Sequence, residues 1–339
     1  MNYNKILLFV IVAALSVLLP GCAKEKKESN TEIQHRILQS YLQLNYPNAE
    51  TLSSGLVILD REPGTGGLFP QLWEAVYLDY TTKNLAGEYL TTTDKEIAKK
   101  MGTYSASTYY GPSLIMIGYG SISRGLSEAL RMMNQNAKMT VIIPPQLTNY
   151  DSQYDDGSNN NQSSSINTIY ELNVKHVVRD MEQFQIDSLE SFKNIRYPEI
   201  DSVVKGFYFK KTVDLNVDTI ASGTSANIWY VGKLLDGYVF DTNIADTAKK
   251  YGIYNSESDY TPLEVVYKST YEEMSSTDES ESSSGTSVIA GFAKAIKSLS
   301  YGESGVTFFK SSFGYDSKGS GSIPAYSMLF FDVYVDPEK

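Results

Sequence analysis

Histidine is nearly absent: His35 and His176 are the only two in 339 residues, beside a single cysteine, Cys22. Zinc is held by sets of three or four His, Cys and carboxylate groups, so this inventory excludes a His–Cys metal cluster. One cysteine also excludes an intramolecular disulfide. A Ser-His-Asp triad would have to use His35 or His176, and both fall in segments patterned as structural elements. Basic charge is scarce too: 29 Lys and Arg against 40 Asp and Glu give a formal net charge of −11. Nucleic acid, whose phosphates call for a basic face, is excluded as a partner. Anionic lipid headgroups are disfavoured for the same reason, and the charge reads as solubility. The stretch Gly64-Thr65-Gly66-Gly67 lacks the Lys-Ser/Thr of a phosphate loop and reads as a turn. No stretch beyond residue 21 is long and apolar enough to span a bilayer. No cofactor is implied.

The N-terminus carries the clearest local signal. Residues 1–5 hold one positive charge, Lys5, and residues 6–19 are apolar but short for a spanning helix. The run ends in Leu19-Pro20-Gly21-Cys22, which resembles a bacterial lipobox. Residues 1–21 therefore read as a lipoprotein signal peptide, with Cys22 as the lipid-attachment residue. A palmitate-type chain there would anchor a soluble body to a membrane without spanning it. The expectation is a lipid-anchored protein of the bacterial cell envelope, on the periplasmic side or the cell surface, with residues 22–31 as a charged tether.

The rest of the chain repeats itself. Tyr80 and Gly87 recur as Tyr230 and Gly237, and Ala98-Lys99-Lys100-Met101-Gly102 recurs as Ala248-Lys249-Lys250-Tyr251-Gly252. Tyr104 and Pro112 return as Tyr254 and Pro262, all at an offset of 150. A period of that length is a domain, too long for a solenoid repeat. Two tandem units follow, 32–178 and 201–339, joined by a linker helix over 179–200.

Each unit opens with a helix, 32–44 and 181–195, by the spacing of its apolar residues. A strand follows, then a hairpin whose second copy is residues 226–241, turning at Asp236-Gly237. Next come a loop holding the Ala-Lys-Lys segment, a Pro-led strand (112–117, 262–267) and a helix (123–133, 289–299). Leu126, Ala129, Leu130 and Met133 make one apolar stripe, and Phe292, Ala295, Ile296 and Leu299 make the other. Two strands close each unit, 138–143 and 168–174 in the first, 304–309 and 329–335 in the second; the last of each alternates apolar and polar, as a half-buried antiparallel strand does. The fold class is α+β, a bent antiparallel sheet wrapped on one amphipathic helix with a helix before it, twice. Residues 152–165 and 269–287 are polar low-complexity stretches, expected to lack order of their own.

The second unit resembles the FKBP-type peptidyl-prolyl isomerases. The family pattern Tyr-Thr-Gly-x-Leu-x-Asp-Gly-x-x-Phe-Asp stands here as Tyr230-Val231-Gly232-Lys233-Leu234-Leu235-Asp236-Gly237-Tyr238-Val239-Phe240-Asp241. The Val-Ile-x-Gly-Trp segment stands as Val288-Ile289-Ala290-Gly291-Phe292, the flap Tyr as Tyr315, and Ile-Pro-Pro as Ile323-Pro324-Ala325. The final strand's Leu-x-Phe-Asp-Val stands as Leu329-Phe330-Phe331-Asp332-Val333. The resemblance covers most of residues 206–336. It departs at Phe292 for Trp, at Leu263 and Val265 for aromatics, at Ala325 for Pro and at Asp316 for Gly.

This resemblance implies an FKBP-like fold in both units and prolyl isomerase activity on proline-containing polypeptides, without cofactor or metal. Tyr230, Phe240, Phe292, Tyr315 and Phe331 would line the pocket, Ile289 would offer a backbone N–H, and Asp241 would orient polar groups. Taken singly, each aromatic reads as core packing and Asp241 as a strand-end cap. The first unit has Leu90 and Thr91 for Phe240 and Asp241, and Leu126 for Phe292, so it is expected to keep the fold with little or no activity. The alternative is a non-catalytic FKBP-like binding lipoprotein.

Overall fold

A computed structural model describes residues 28–118, 122–148, 165–276 and 288–337. The signal peptide, Cys22 and most of the tether lie outside the described residues. The first unit runs α1 (Asn30–Asn45), β1 (Glu50–Thr51), β2 (Val57–Glu62), β3 (Ala75–Asn84), β4 (Tyr89–Thr92), α2 (Lys95–Met101), β5 (Ser113–Met116), α3 (Arg124–Leu130), β6 (Lys138–Ile143) and β7 (Thr168–Val178). The second runs α4 (Met181–Arg196), β8 (Ser202–Val204), β9 (Phe207–Val213), β10 (Ser225–Leu234), β11 (Val239–Thr242), α5 (Ala245–Tyr251), β12 (Leu263–Val266), β13 (Ser275–Ser276), α6 (Ala290–Ile296), β14 (Ser304–Phe309) and β15 (Leu329–Val335).

The two sheets have one topology. The first is ordered β1-β2-β6-β7-β3-β4, with β5 also on β3; the second is β8-β9-β14-β15-β10-β12-β13, with β11 also on β10. Every pairing is antiparallel. Each β element of the first sheet has its counterpart in the same place in the second, so the repeat in sequence is a repeat in fold.

A helix packs on one face of each sheet. In the first unit Ala129, Leu130 and Met133 pack among Leu56, Val76, Leu78, Val141 and Leu172. In the second Phe292, Ala293, Ile296 and Leu299 pack among Ile228, Val265, Phe309, Phe331 and Val333. Both helices are shorter than the apolar stripe suggests, seven residues each. The stripe continues into tight turns that keep Met133 and Leu299 fully buried.

Three expectations need correction. The Ala-Lys-Lys segments are helices, α2 and α5, not loops. Asp94 accepts hydrogen bonds from the N–H groups of Glu96 and Ile97, and Gly102 and Gly252 end the helices in the left-handed conformation. Each buries a single side chain, Ala98 or Ala248, which leaves no periodicity to read. Second, the outer face of the half-buried strand β15 is covered at one end, while Asp332 and Tyr334 further along it are not buried. Phe330, on the outer face, is 4% exposed because α4 covers it: Phe192 and Tyr197 lie 6.1 and 5.8 Å from its ring centre. Burying such a ring contributes about 1.5–3 kcal/mol, so α4 is an outer layer of the second unit as well as a link. It also reaches back, placing Met181 and Phe184 against Ala75, Leu114 and Val178 of the first unit.

Third, residues 269–276 are ordered. A 3-10 turn over Tyr271–Glu273 delivers Met274, 1% exposed, into the second core, and β13 pairs with β12. Met274, with half-buried Tyr271 packed against the same core, holds a stretch otherwise poor in apolar residues. Met274→Ala is expected to lower stability by about 2–5 kcal/mol, read as the denaturant midpoint of the second unit's transition. An unchanged midpoint would place Met274 outside the core.

Candidate functional site

The hairpin of β10 and β11 organises the site. Its tip is closed by Leu234 N–H donating to Tyr238 O (2.9 Å) and Gly237 N–H to Leu234 O (3.0 Å), while Asp236 Oδ1 accepts from Tyr238 N–H (3.0 Å). Gly237 takes φ +93°, which a glycine adopts without steric cost. The register then shifts: Lys233 faces Val239, but Gly232 faces Asp241. Phe240 is thus the extra residue of a β-bulge. Bulges re-aim side chains, and this one lets consecutive residues address one site. The Phe240 ring meets Phe331 at 5.7 Å, and Asp241 Oδ2 accepts from the Tyr230 hydroxyl at 2.7 Å.

The other walls come from β15 and α6. Phe331 lies opposite Gly232 in the ladder. Phe292, 3% exposed, forms the floor, its ring 5.1 Å from Phe331 and 5.5 Å from Tyr230, both edge-on. Tyr230 and Phe331 are 6.2 Å apart. Edge-to-face rings at such distances add stabilisation beyond area burial. Tyr315 and Ile289 pack half-buried against the same cluster. Burial, and then the negative charge of Asp241, push the Tyr315 hydroxyl above its ordinary pKa, so it stays protonated and able to donate. Ile289 is the N-cap of α6 and makes no side-chain cap, where the first unit's Ser123 caps α3 by accepting from Leu126 N–H. Among the described residues, the Ile289 N–H meets no acceptor. All seven residues named from the sequence are thus brought together, with Ile323, 7% exposed, packed beside them.

Sequence reasoning missed what holds the site open. A Cβ on Gly232 would lie 2.6 Å from the Phe240 ring and 2.9 Å from Phe331. Both rings occupy space that only a glycine leaves. Thr242 and Asn243 were missed as well. Asn243 Oδ1 accepts from Tyr230 N–H (2.9 Å), its Nδ2 donates to Ile228 O (2.8 Å), and the Thr242 hydroxyl donates to Tyr230 O (2.6 Å). These side chains fix the backbone of Tyr230 relative to Asp241. Two polar residues directly after Phe-Asp were the available signal.

The first unit shows the same frame without the site. Thr82 stands at the position of Gly232, 4% exposed, and its hydroxyl meets that of Thr91 at 2.8 Å. Leu90 takes the bulge, Thr91 replaces the carboxylate and Leu126 the floor. Among the described residues, Tyr80 and Tyr170 are the aromatics packed against this core. Thr82 thus carries a side chain at the position where Gly232 leaves room for the Phe240 ring.

A space of about 830 Å³ lies elsewhere, between the units and beside α4, lined among others by Tyr77, Tyr109, Phe184, Leu235 and Pro324. It is open to solvent, and none of the seven residues named above lines it. Among the described residues no three His, Cys, Asp or Glu groups are placed to hold a metal, and no helix is long and apolar enough to cross a membrane.

Residues 217–336 match the family model of FKBP-type peptidyl-prolyl cis-trans isomerases. No curated protein matches the chain. Among solved structures, the three FKBP domains of wheat FKBP73 are 16% identical, aligning 84% of this chain with 95% of that one at a TM-score of 0.27. FkpA from Escherichia coli is 16% identical over 52% of this chain and 74% of its own, at 0.32. A peptidyl-prolyl cis-trans isomerase from Pseudomonas syringae is 15% identical over 45% of this chain and 92% of its own, at 0.31. The family match and the site's own geometry meet on the same residues: the second unit, over residues 217–336, is what matches the FKBP-type peptidyl-prolyl cis-trans isomerase family.

Proposed function

We propose that the second unit catalyses cis–trans isomerisation of X-Pro bonds in polypeptides, and that the protein does so anchored to the bacterial envelope through a lipid on Cys22. The observation that carries the first part is the assembly of Tyr230, Phe240, Phe292 and Phe331 around a backbone opened by Gly232. Rotation about the amide bond breaks its resonance, a barrier of about 18–20 kcal/mol. The catalyst needs no nucleophile and no metal; it must bind the twisted amide better than the planar one. Four rings seat the prolyl ring and exclude water, which in solution hydrogen-bonds the carbonyl and favours the planar form. The Ile289 N–H holds the peptide backbone, and Asp241 keeps the Tyr230 hydroxyl turned along the rim.

Asp241→Val and Tyr230→Phe each remove that hydrogen bond. Each is expected to lower kcat/KM about tenfold, roughly 1.4 kcal/mol of transition-state stabilisation. Because both break one interaction, the double variant should lose little more than either. Strictly additive losses would separate the two residues' roles. For the first unit a binding role is the better reading, since Thr82 stands at the position of Gly232.

The anchor rests on the sequence of residues 6–22. Cys22→Ser should release the protein from the membrane fraction as an unacylated form. Wild-type protein found wholly in the soluble fraction with a free Cys22 thiol would contradict it.

A further inference from the structure

The first unit touches the second at the hairpin that carries the site. Tyr109, in the segment between α2 and β5, packs against the core of the second unit. Its ring centre is 5.3 Å from that of Tyr238, edge-on at 64°. Burial above all, then Tyr77 and the carboxylate of Asp236, push its hydroxyl far above the ordinary tyrosine range, so it remains a neutral donor beside the hairpin tip. Tyr104, Ala106 and Tyr110 share a recess of about 300 Å³ with Gly237, Tyr238 and Tyr251. At the far end of α5, the Ala106 methyl sits 3.2 Å from where a Cβ on Gly252 would be.

These contacts bracket residues 238–252, the stretch that supplies Phe240, Asp241, Thr242 and Asn243. Within its own unit that stretch is held by the Phe240–Phe331 contact, by the Thr242 and Asn243 hydrogen bonds and by buried Val239 and Ala248, with a short sheet pairing. Strand β11 is four residues long, is bulged, and pairs only with β10. The repeat gives a control for whether Tyr109 serves its own unit. Tyr104 and Tyr110 stack at 5.6 Å, and their counterparts Tyr254 and Tyr260 stack at 5.0 Å, so that pair belongs to the fold of each unit. The counterpart of Tyr109 is Asp259, which is exposed. The loop folds without an aromatic there, and the first unit has one where it meets the hairpin.

We propose that Tyr109 of the first unit is a positioning residue for the second unit's site, holding the β10–β11 hairpin through Tyr238. The first unit, with Thr82 at the position of Gly232, thereby supports the geometry of its neighbour. The proposal rests on the isomerase reading, and one of its two readouts is independent of activity.

The test uses the full chain with Tyr109→Asp, the residue the repeat tolerates, and Tyr109→Phe, which keeps the ring on Tyr238. Amide hydrogen exchange at Leu234 and Gly237 should quicken in Tyr109→Asp and stay near wild type in Tyr109→Phe, with β3 and β7 unchanged in both. Prolyl isomerisation should fall about fivefold in kcat/KM for Tyr109→Asp and be retained in Tyr109→Phe. Tyr238→Glu, which copies Glu88 of the first unit, should reproduce the loss from the other side of the contact. Unchanged hairpin exchange in Tyr109→Asp overturns the proposal. Faster exchange with undiminished activity also overturns it, leaving a structural contact alone. If the wild type shows no isomerisation, the functional reading fails by itself, and hairpin exchange still decides whether Tyr109 holds the hairpin.

Discussion

Gly232→Thr is expected to abolish most of the second unit's activity while leaving it folded. The rings of Phe240 and Phe331 lie closer to the Gly232 backbone than any Cβ permits. A threonine must displace both, and the aromatic wall offered to the prolyl ring is broken. The expected loss in kcat/KM is at least about a hundredfold, roughly 2.7 kcal/mol. Overpacking should lower stability by about 1–3 kcal/mol, a tolerable amount, since Thr82 occupies the same position in the folded first unit. Isomerisation kinetics and a thermal melt on one preparation separate the two effects. A well-folded Gly232→Thr protein with full activity would mean that the rings do not form the working surface.

The second large effect concerns Glu303, whose side chain is fully enclosed. It accepts from Ser300 N–H (2.8 Å), Leu215 N–H (3.0 Å) and the Lys211 ammonium (2.7 Å). Burial pushes this carboxyl up, but Lys211 and the two backbone donors outweigh it and hold it below its ordinary value. A depressed folded-state pKa contributes stability that is complete above the unfolded value and is lost as pH falls through the folded one. The second unit should therefore lose stability as pH drops below about 4.3, the ordinary glutamate value. Glu303→Gln should cost about 2–4 kcal/mol at neutral pH, the lower part of the range for a broken buried pair because Lys211 is 24% exposed and regains water. It should also flatten that acid limb. The first unit has Ala137 at this place and serves as the internal comparison. A variant as acid-sensitive as wild type would assign the limb to other carboxylates.

How much of this was legible depends on the kind of signal. Strands 138–143, 304–309 and 329–335 appear in the structure with the bounds read from the sequence, because a strand's alternation and its apolar content are both local. Helices α2 and α5 were invisible because one buried alanine in seven residues makes no stripe. The order of residues 269–276 turns on Met274 finding a core whose position the sequence does not state. Burial of Phe330 likewise depends on where α4 lies.

The site divides in the same way. Its aromatic and acidic members stand at recognisable spacing, so they were named in advance. The bulge at Phe240 is a register shift, visible only once β10 and β11 are paired. Gly232 reads as a weak point in a strand until the rings over it are seen. Tyr109 belongs to the other unit entirely, and nothing in a loop tyrosine's own neighbourhood names a partner more than a hundred residues away.

The most direct test of the account is the rate of cis–trans exchange in a short apolar-Pro peptide, measured by exchange NMR with the full chain and with its Gly232→Thr variant. The account predicts clear acceleration over buffer by the wild type and near-complete loss in the variant. A folded wild-type chain that leaves the exchange rate at the buffer value would contradict it.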